Sequence, residues 1–203
     1  LHNWNYENEN GFKLKINDLL IKRGEILALM GANGSGKTTL LKTIAGILKC
    51  KEGKSEFSSQ NDEFSSPVPI GYVFQNADEQ IFMNTVLDEI SYGLKNYHLD
   101  DPDHQLKVKE VLKFFGLEVK ENENPHQLSY GEKKRLNLAS ILALEPAILL
   151  LDEIFIGQDI FQATYIMEKL DNLRKNGVTI IVAIHDPILM TKIADRVLFL
   201  ERG

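Results

Sequence analysis

The stretch Gly31–Thr38, GANGSGKT, limits this chain more than any other segment. It follows an apolar run, EILALM, and opens onto KTTLLKTIAGIL, which has helical spacing. Glycines at these intervals let successive backbone N–H groups turn inward with no Cβ in the way, as a loop must to wrap a chain of phosphates. The pattern G-x-x-x-x-G-K-[ST] between a strand and a helix assigns Asn33, Gly34, Ser35, Gly36 and Thr39 to phosphate binding. Lys37 is expected to neutralise the β- and γ-phosphates, and Thr38 Oγ to hold Mg²⁺.

A second apolar run, AILLLDE, ends in two acids. Four buried residues before Asp152 put its carboxylate at the carboxyl end of a strand, where parallel sheets bind ligands. Asp152 is expected to hold Mg²⁺ through water, and Glu153 to polarise an attacking water as general base. Together the two motifs imply a nucleoside triphosphate, ATP in the reading below, with Mg²⁺.

The apolar runs EILALM, IGYVFQ, AILLLDE, VTIIVAIH and RVLFLE alternate with segments of helical spacing, so a mostly parallel sheet covered on both faces is expected. FKLKINDLLIKRG alternates with period two and reads as an antiparallel strand pair; Lys51–Pro69 is polar and reads as a hairpin or loop. TVLDEISYGL and HQLKVKEVLKFFGL, separated by the Asp-Pro-Asp at 101–103, read as helices of an inserted lobe over about 77–140, within a core of about 1–76 and 141–203. FQATYIMEKLDNLRKNG reads as a helix closed at Gly177. The whole is expected to be one α/β domain, 1–203.

A net charge of -6 weighs against broad nucleic-acid binding. One cysteine, Cys50, excludes an intramolecular disulfide, fits a reducing compartment and is given no role. No run is long and apolar enough to cross a bilayer and no secretory signal opens the chain, although Leu1 and the abrupt LFLERG suggest trimmed ends.

Far from the phosphate loop, LSYGEKKR sets a short turn before a helix, a second candidate phosphate-binding N-terminus. It resembles the Leu-Ser-Gly-Gly-Gln signature of ABC-type ATPases, and the resemblance extends over essentially the whole chain. It implies the ABC ATPase fold: a P-loop core, an N-terminal antiparallel subdomain and an inserted helical subdomain. Gln75 in YVFQN is similar to the family's Q-loop glutamine at the Mg²⁺ and water site, Asp159 in IGQD to the D-loop aspartate, and His185 in VAIHD to the switch histidine on the γ-phosphate. Tyr6 resembles the aromatic that stacks on adenine, with Trp4 and Phe12 flanking it. In this family two domains pair head to tail, so the helix opening at Ser129, with Gly131 and Glu132, is implied to meet the ATP held by the partner's phosphate loop. A second ATPase subunit, identical or a paralogue, follows. The basic trio Lys133, Lys134 and Arg135 is read as a solvated helix face.

Several positions depart from the family pattern. Tyr130 stands for the first signature glycine, Glu132 for the glutamine, Ile154 for a proline and Gln158 for a leucine. FQNADEQIFMNTVLDEISYGL is similar to the energy-coupling-factor (ECF) ATPases of vitamin and metal importers, with Ala77 for proline while Asp78, Gln80, Phe82, Thr85, Val86, Glu89 and Gly93 fit. That resemblance implies a transmembrane scaffold subunit, docked by a helix beside Gln80, Ile81 and Phe82, a substrate-binding membrane subunit, and a peripheral place at the cytoplasmic face of the membrane. The alternative is a soluble ABC ATPase acting on nucleic acid or ribosomes.

Overall fold

The computed structural model describes residues 1–7, 9, 11–54, 69–97 and 103–201. Five parallel strands form the central sheet: β3 (Ile26–Met30), β5 (Ile70–Val73), β6 (Ile148–Asp152), β7 (Thr179–Ala183) and β8 (Arg196–Phe199), in the order β5-β6-β7-β3-β8. Helices α1 (Lys37–Ile44), α5 (Ile160–Lys175) and α6 (Pro187–Ile193) make crossovers between them. A separate antiparallel sheet, in the order β2-β1-β4, is made by β1 (His2–Glu7), β2 (Lys13–Asp18) and β4 (Glu52–Lys54).

The central strands are apolar throughout because both faces are covered. Ile26 and Ala28 of β3, Leu149 and Leu151 of β6, and Ile180 and Val182 of β7 join one core with α5 and the helices described next. Leu27, Leu29, Leu150 and Ile181 point the other way, to Leu40 and Leu41 of α1 and to Trp4, Leu14 and Ile16 of the antiparallel sheet. Deleting one of these leucines to alanine would cost about 2–5 kcal/mol.

Helices α2 (Val86–Tyr97), α3 (His104–Phe115) and α4 (Tyr130–Leu142) pack on one another beyond the β5 edge. Helix α4 starts at a full capping box: Ser129 Oγ accepts from Glu132 N, while the Glu132 carboxylate accepts from Ser129 N. Asp159 caps α5 by accepting from Gln162 N at 2.8 Å, and Gly177 follows that helix at φ 88°.

The expectations differ from the structure in three places. FKLKINDLLIKRG holds a single strand, β2, whose partner is the upstream β1, with Tyr6 opposite Leu14. Alternation fails where Leu19, Leu20 and Ile21 run together, and Leu20 turns out to solvent. In the polar stretch, Glu52–Lys54 pairs with β1 as β4; residues 55–68, like Asp101 and Pro102, lie outside the described residues. Helix α6, started by Asp186 ahead of Pro187, has no counterpart in the expectations.

Candidate active site

Strand register assembles the site. Val73 of β5 lies opposite Leu151 of β6, and Asp152 lies opposite Ala183 of β7. Two residues beyond Val73 comes Gln75, two beyond Leu151 comes Glu153, and two beyond Ala183 comes His185. All three therefore emerge side by side at the carboxyl edge of the sheet, where β3 also runs out into the phosphate loop. The link Glu153 N to Ala183 O at 3.2 Å extends the ladder past the strand ends.

Both oxygens of the Glu153 carboxylate are engaged. Gln75 Nε2 donates to Oε2 at 2.5 Å, and His185 donates to Oε1 through Nε2, which must carry the proton because a carboxylate only accepts. Glu153 is buried, and its φ of 52° is left-handed, a conformation costing a non-glycine residue about 1–3 kcal/mol where the surroundings impose it. From this turn Glu153 lines the same cleft as the phosphate loop.

A cleft of about 800 Å³ lies in front, lined by Asn33, Gly34, Gly36, Lys37, Thr38 and Thr39 of the loop, by Gln75, Glu153 and His185, and by Phe12 and Ile156. Lys37 Nζ donates to Gly31 O at 2.9 Å and Ala32 O at 3.0 Å, which holds the ammonium in the curl of the loop. Ser35 is buried beneath it, its hydroxyl 2.6 Å from where a Cβ on Gly31 would stand.

Asp152 lies under the cleft at 1% exposure. Thr38 Oγ1 donates to its Oδ1 at 3.1 Å, and Tyr72 OH donates to its Oδ2 at 3.0 Å. Burial raises its pKa above the ordinary carboxylate value; the two hydroxyl hydrogen bonds oppose that rise, and the nearby Glu153 charge adds to it. Burial and the Asp152 charge likewise push the Tyr72 phenol up, so it stays a donor. A hydroxyl and a carboxylate side by side, with space for phosphate oxygens beyond, form a hard-oxygen donor set that suits Mg²⁺, which takes few protein ligands beside substrate phosphates. Tyr72 had no motif to announce it: a strand tyrosine among apolar neighbours reads as core.

Tyr6 is not among the cleft residues; it packs with Trp4, Leu14, Ile16 and Thr43 on the antiparallel sheet, because its position shares the Trp4 face of β1. Phe12, in the turn before β2, lines the cleft and reaches Gly36, where an added Cβ would stand 2.9 Å from its Cζ.

Ser129, Gly131, Glu132 and Asp159 are also absent from the cleft lining. They cluster with one another instead: Gly131 faces Gln158, the Tyr130 ring lies against Gly157, and Arg135 Nη1 donates to Gln162 Oε1. The Glu132 carboxylate is pulled down to about 2: burial opposes this, but the Lys120 ion pair at 2.9 Å and the Ser129 N–H and hydroxyl prevail.

The basic trio is not a solvated face. Lys133 Nζ bonds Asp78 Oδ1 at 2.7 Å, Arg135 bonds Gln162, and Lys134 is wholly buried with its Nζ donating to the main-chain oxygen of Gln75. Burial lowers the Lys134 ammonium to about 8, against the upward pull of the Asp152 and Glu153 charges. Nor does Gln80-Ile81-Phe82 present a continuous surface. Gln80 Oε1 accepts from Phe74 N and Ile81 is buried, while Phe82 stands out at 59% exposure, edge-on to Tyr92 at 44%, with ring centroids 4.8 Å apart.

Comparison with known proteins places this arrangement. The family model described as "ABC transporter" matches residues 14–155. The energy-coupling factor transporter ATP-binding protein EcfA of Methanocaldococcus jannaschii is 39% identical over 189 residues, spanning 90% of this chain and 68% of that protein. EcfA2 of Clostridium perfringens is 36% identical over 208 residues, covering 99% of this chain and 73% of the relative. A putative ABC transporter ATP-binding protein of Methanosarcina mazei is 40% identical over 194 residues; the aligned region is 94% of this chain but 33% of that protein. Among solved structures, cbiO1 of Clostridium perfringens, part of the ABC transporter complex cbiONQ, superposes with a TM-score of 0.84 at 34% identity, over 100% of this chain and 84% of the other. A dimeric ATP-binding cassette in a post-hydrolysis state bound to ADP and Pi gives 0.84 at 28% identity, over 100% and 94%.

Proposed function

This chain belongs to the ABC transporter family, and from that premise we propose that it is the ATP-hydrolysing subunit of an ECF-type importer, working as half of an ATPase dimer at the cytoplasmic face of a membrane. One observation carries the assignment of the chemistry: Glu153, bound on one oxygen by Gln75 and on the other by His185, stands at the mouth of a cleft floored by Lys37 and Thr38.

Phosphoryl transfer asks the protein for positioning and charge stabilisation more than for covalent chemistry. The loop N–H groups and Lys37 grip the β- and γ-phosphates, and Phe12, which lines the cleft, offers its ring to the base. Thr38 and Asp152 would hold Mg²⁺, which, when bound, would supply positive charge against the phosphates. Glu153 aligns a water in line with the leaving oxygen and takes its proton as the new O–P bond forms and the bond to ADP breaks. Gln75 fixes the carboxylate, and His185 turns its donor to charge building on the transferred group.

The Ser129 helix N-terminus and Asp159 sit away from this cleft, which supports their serving the partner subunit's nucleotide in a head-to-tail pair. The exposed Phe82–Tyr92 pair is the surface offered to a helix of the transmembrane scaffold. Among the described residues no helix is long and apolar enough to cross a membrane, so the scaffold and a substrate-binding membrane subunit supply the path.

Two measurements test this together. Glu153→Gln in the purified protein is expected to keep ATP binding and lose turnover by about 100-fold or more; unchanged turnover would refute the site. Mild-detergent extraction of the tagged full-length protein, with mass spectrometry of what accompanies it, is expected to recover a polytopic scaffold and a second ATPase. Ribosomal or DNA-associated partners without a membrane protein would refute the importer.

A further inference from the structure

Helix α4 grips the segment that leaves β5 at several successive points. Lys133 pairs with Asp78, Asn137 Nδ2 donates to Ala77 O at 3.0 Å, Gln80 Nε2 donates to Asn137 O at 3.3 Å, and Lys134 donates to the Gln75 carbonyl. The first three tie the helix to the outer part of the segment. Only Lys134 reaches the residue whose amide holds Glu153, and it does so from a site with no exposure at all.

A buried ammonium is costly to maintain, and hydrocarbon side chains would pack this position without that cost. The Tyr130 ring, 5.5 Å from Nζ, shields it on the side of the helix start. Its remaining electrostatic partners are the Asp152 and Glu153 carboxylates, so the charge is felt by the reacting groups while the stem belongs to the helix that opens at Ser129.

We propose that Lys134 is a positioning residue for hydrolysis: it fixes the main chain at Gln75, and through it the Gln75 amide on Glu153, to the same helix whose start faces the partner subunit. A shift of α4 on engaging the partner's nucleotide then moves Gln75 relative to Glu153 in this chain's own cleft, which couples the two sites of a dimer through one side chain. The inference rests on the roles given above to Gln75 and Glu153.

The test uses the full-length protein purified with its partners, comparing Lys134→Met, Lys134→Gln and Lys134→Arg. Met keeps bulk but neither donor nor charge; Gln keeps a shorter donor; Arg keeps both. For Lys134→Met, kcat is expected to fall about tenfold while KM and affinity for ATP stay within about twofold, with Lys134→Gln intermediate and Lys134→Arg recovering at least half of kcat. Lys133→Ala, which cuts the same seam at Asp78, leaves kcat within about twofold. The proposal is overturned if Lys134→Met or Lys134→Gln, in whichever melts cooperatively near the parent, keeps the parent kcat. A loss shared equally by ATP affinity, or matched by Lys133→Ala, also overturns it. Glu153→Gln run alongside separates the two readings: turnover lost there but kept in Lys134→Met sinks only the Lys134 role, and turnover kept in Glu153→Gln sinks the site.

Discussion

Removing one hydroxyl from Tyr72 isolates the support beneath Asp152, the carboxylate proposed to hold Mg²⁺. Tyr72→Phe deletes the donor to Asp152 Oδ2 and leaves the ring packed against Phe74, 4.9 Å away edge-on, so little cavity opens. What is lost is a hydrogen bond to a buried charged group, worth about 1.5–3 kcal/mol; because Thr38 still serves Oδ1, the lower part of that range, about 1.5–2 kcal/mol, applies. In a domain of this size each kcal/mol moves Tm by about 2–4 °C, so the variant should melt about 3–8 °C below the parent at neutral pH. The sign with pH follows from which form of Asp152 the phenol serves. Its hydrogen bond favours the ionised carboxylate and lowers a pKa that burial has raised. The gap between parent and variant is therefore full where Asp152 is charged and shrinks as acid protonates it. Differential scanning calorimetry from about pH 8 down to about pH 4 reads this directly. The apparent Mg²⁺ requirement for hydrolysis should rise several-fold, with kcat at saturating Mg²⁺ little changed. A Tm drop under about 1 °C, or one of the same size at both ends of the series, would refute the reasoning.

Other perturbations probe different links. Gly31→Ala places a Cβ 2.3 Å from the Leu200 carbonyl at a φ of 149°, so destabilisation of about 1–3 kcal/mol is expected by denaturant titration, with the ATP-induced rise in Tm lost; an unshifted urea midpoint would contradict the close approach. Glu132→Gln removes a carboxylate whose folded pKa of about 2 lies below its ordinary 4.5, so the group contributes stability above about 4.5 that fades as pH falls toward 2. The parent's advantage in urea midpoint over Glu132→Gln should narrow across that window; an advantage constant with pH would count against the capping box and the Lys120 pair as its source.

The parts legible in the sequence were those in which a local pattern and its chemistry coincide. GANGSGKT announces a turn, a helix start and a phosphate site in one phrase, and the five apolar runs announce a sheet covered on both sides. The exact meeting of Gln75, Glu153 and His185 was not legible, since it depends on strand register, which periodicity does not encode. Lys134 was misread for a subtler reason. It is three and four residues before Asn137 and Leu138, so it lies on the buried face of α4, but its charge argued for solvent. Phe12 shows the converse: in the sequence it is only a flank of Tyr6, and the turn before β2 is what brings its ring to the cleft.

Strand order carries one consequence for how the molecule comes into being. The strand that feeds the phosphate loop, β3, is flanked in the sheet by β7 and β8, the last two strands of the described chain. During synthesis the loop therefore leaves the ribosome before either neighbour of its strand exists, and a bare apolar ribbon, ILALM, waits for pairing until β7 and β8 are made. The cleft is completed only once β7 and the His185 that follows it have been made, so nucleotide capture marks a chain built past these strands, and a ribosome stalled before Thr179 leaves behind a sticky, nucleotide-blind fragment for chaperones to manage.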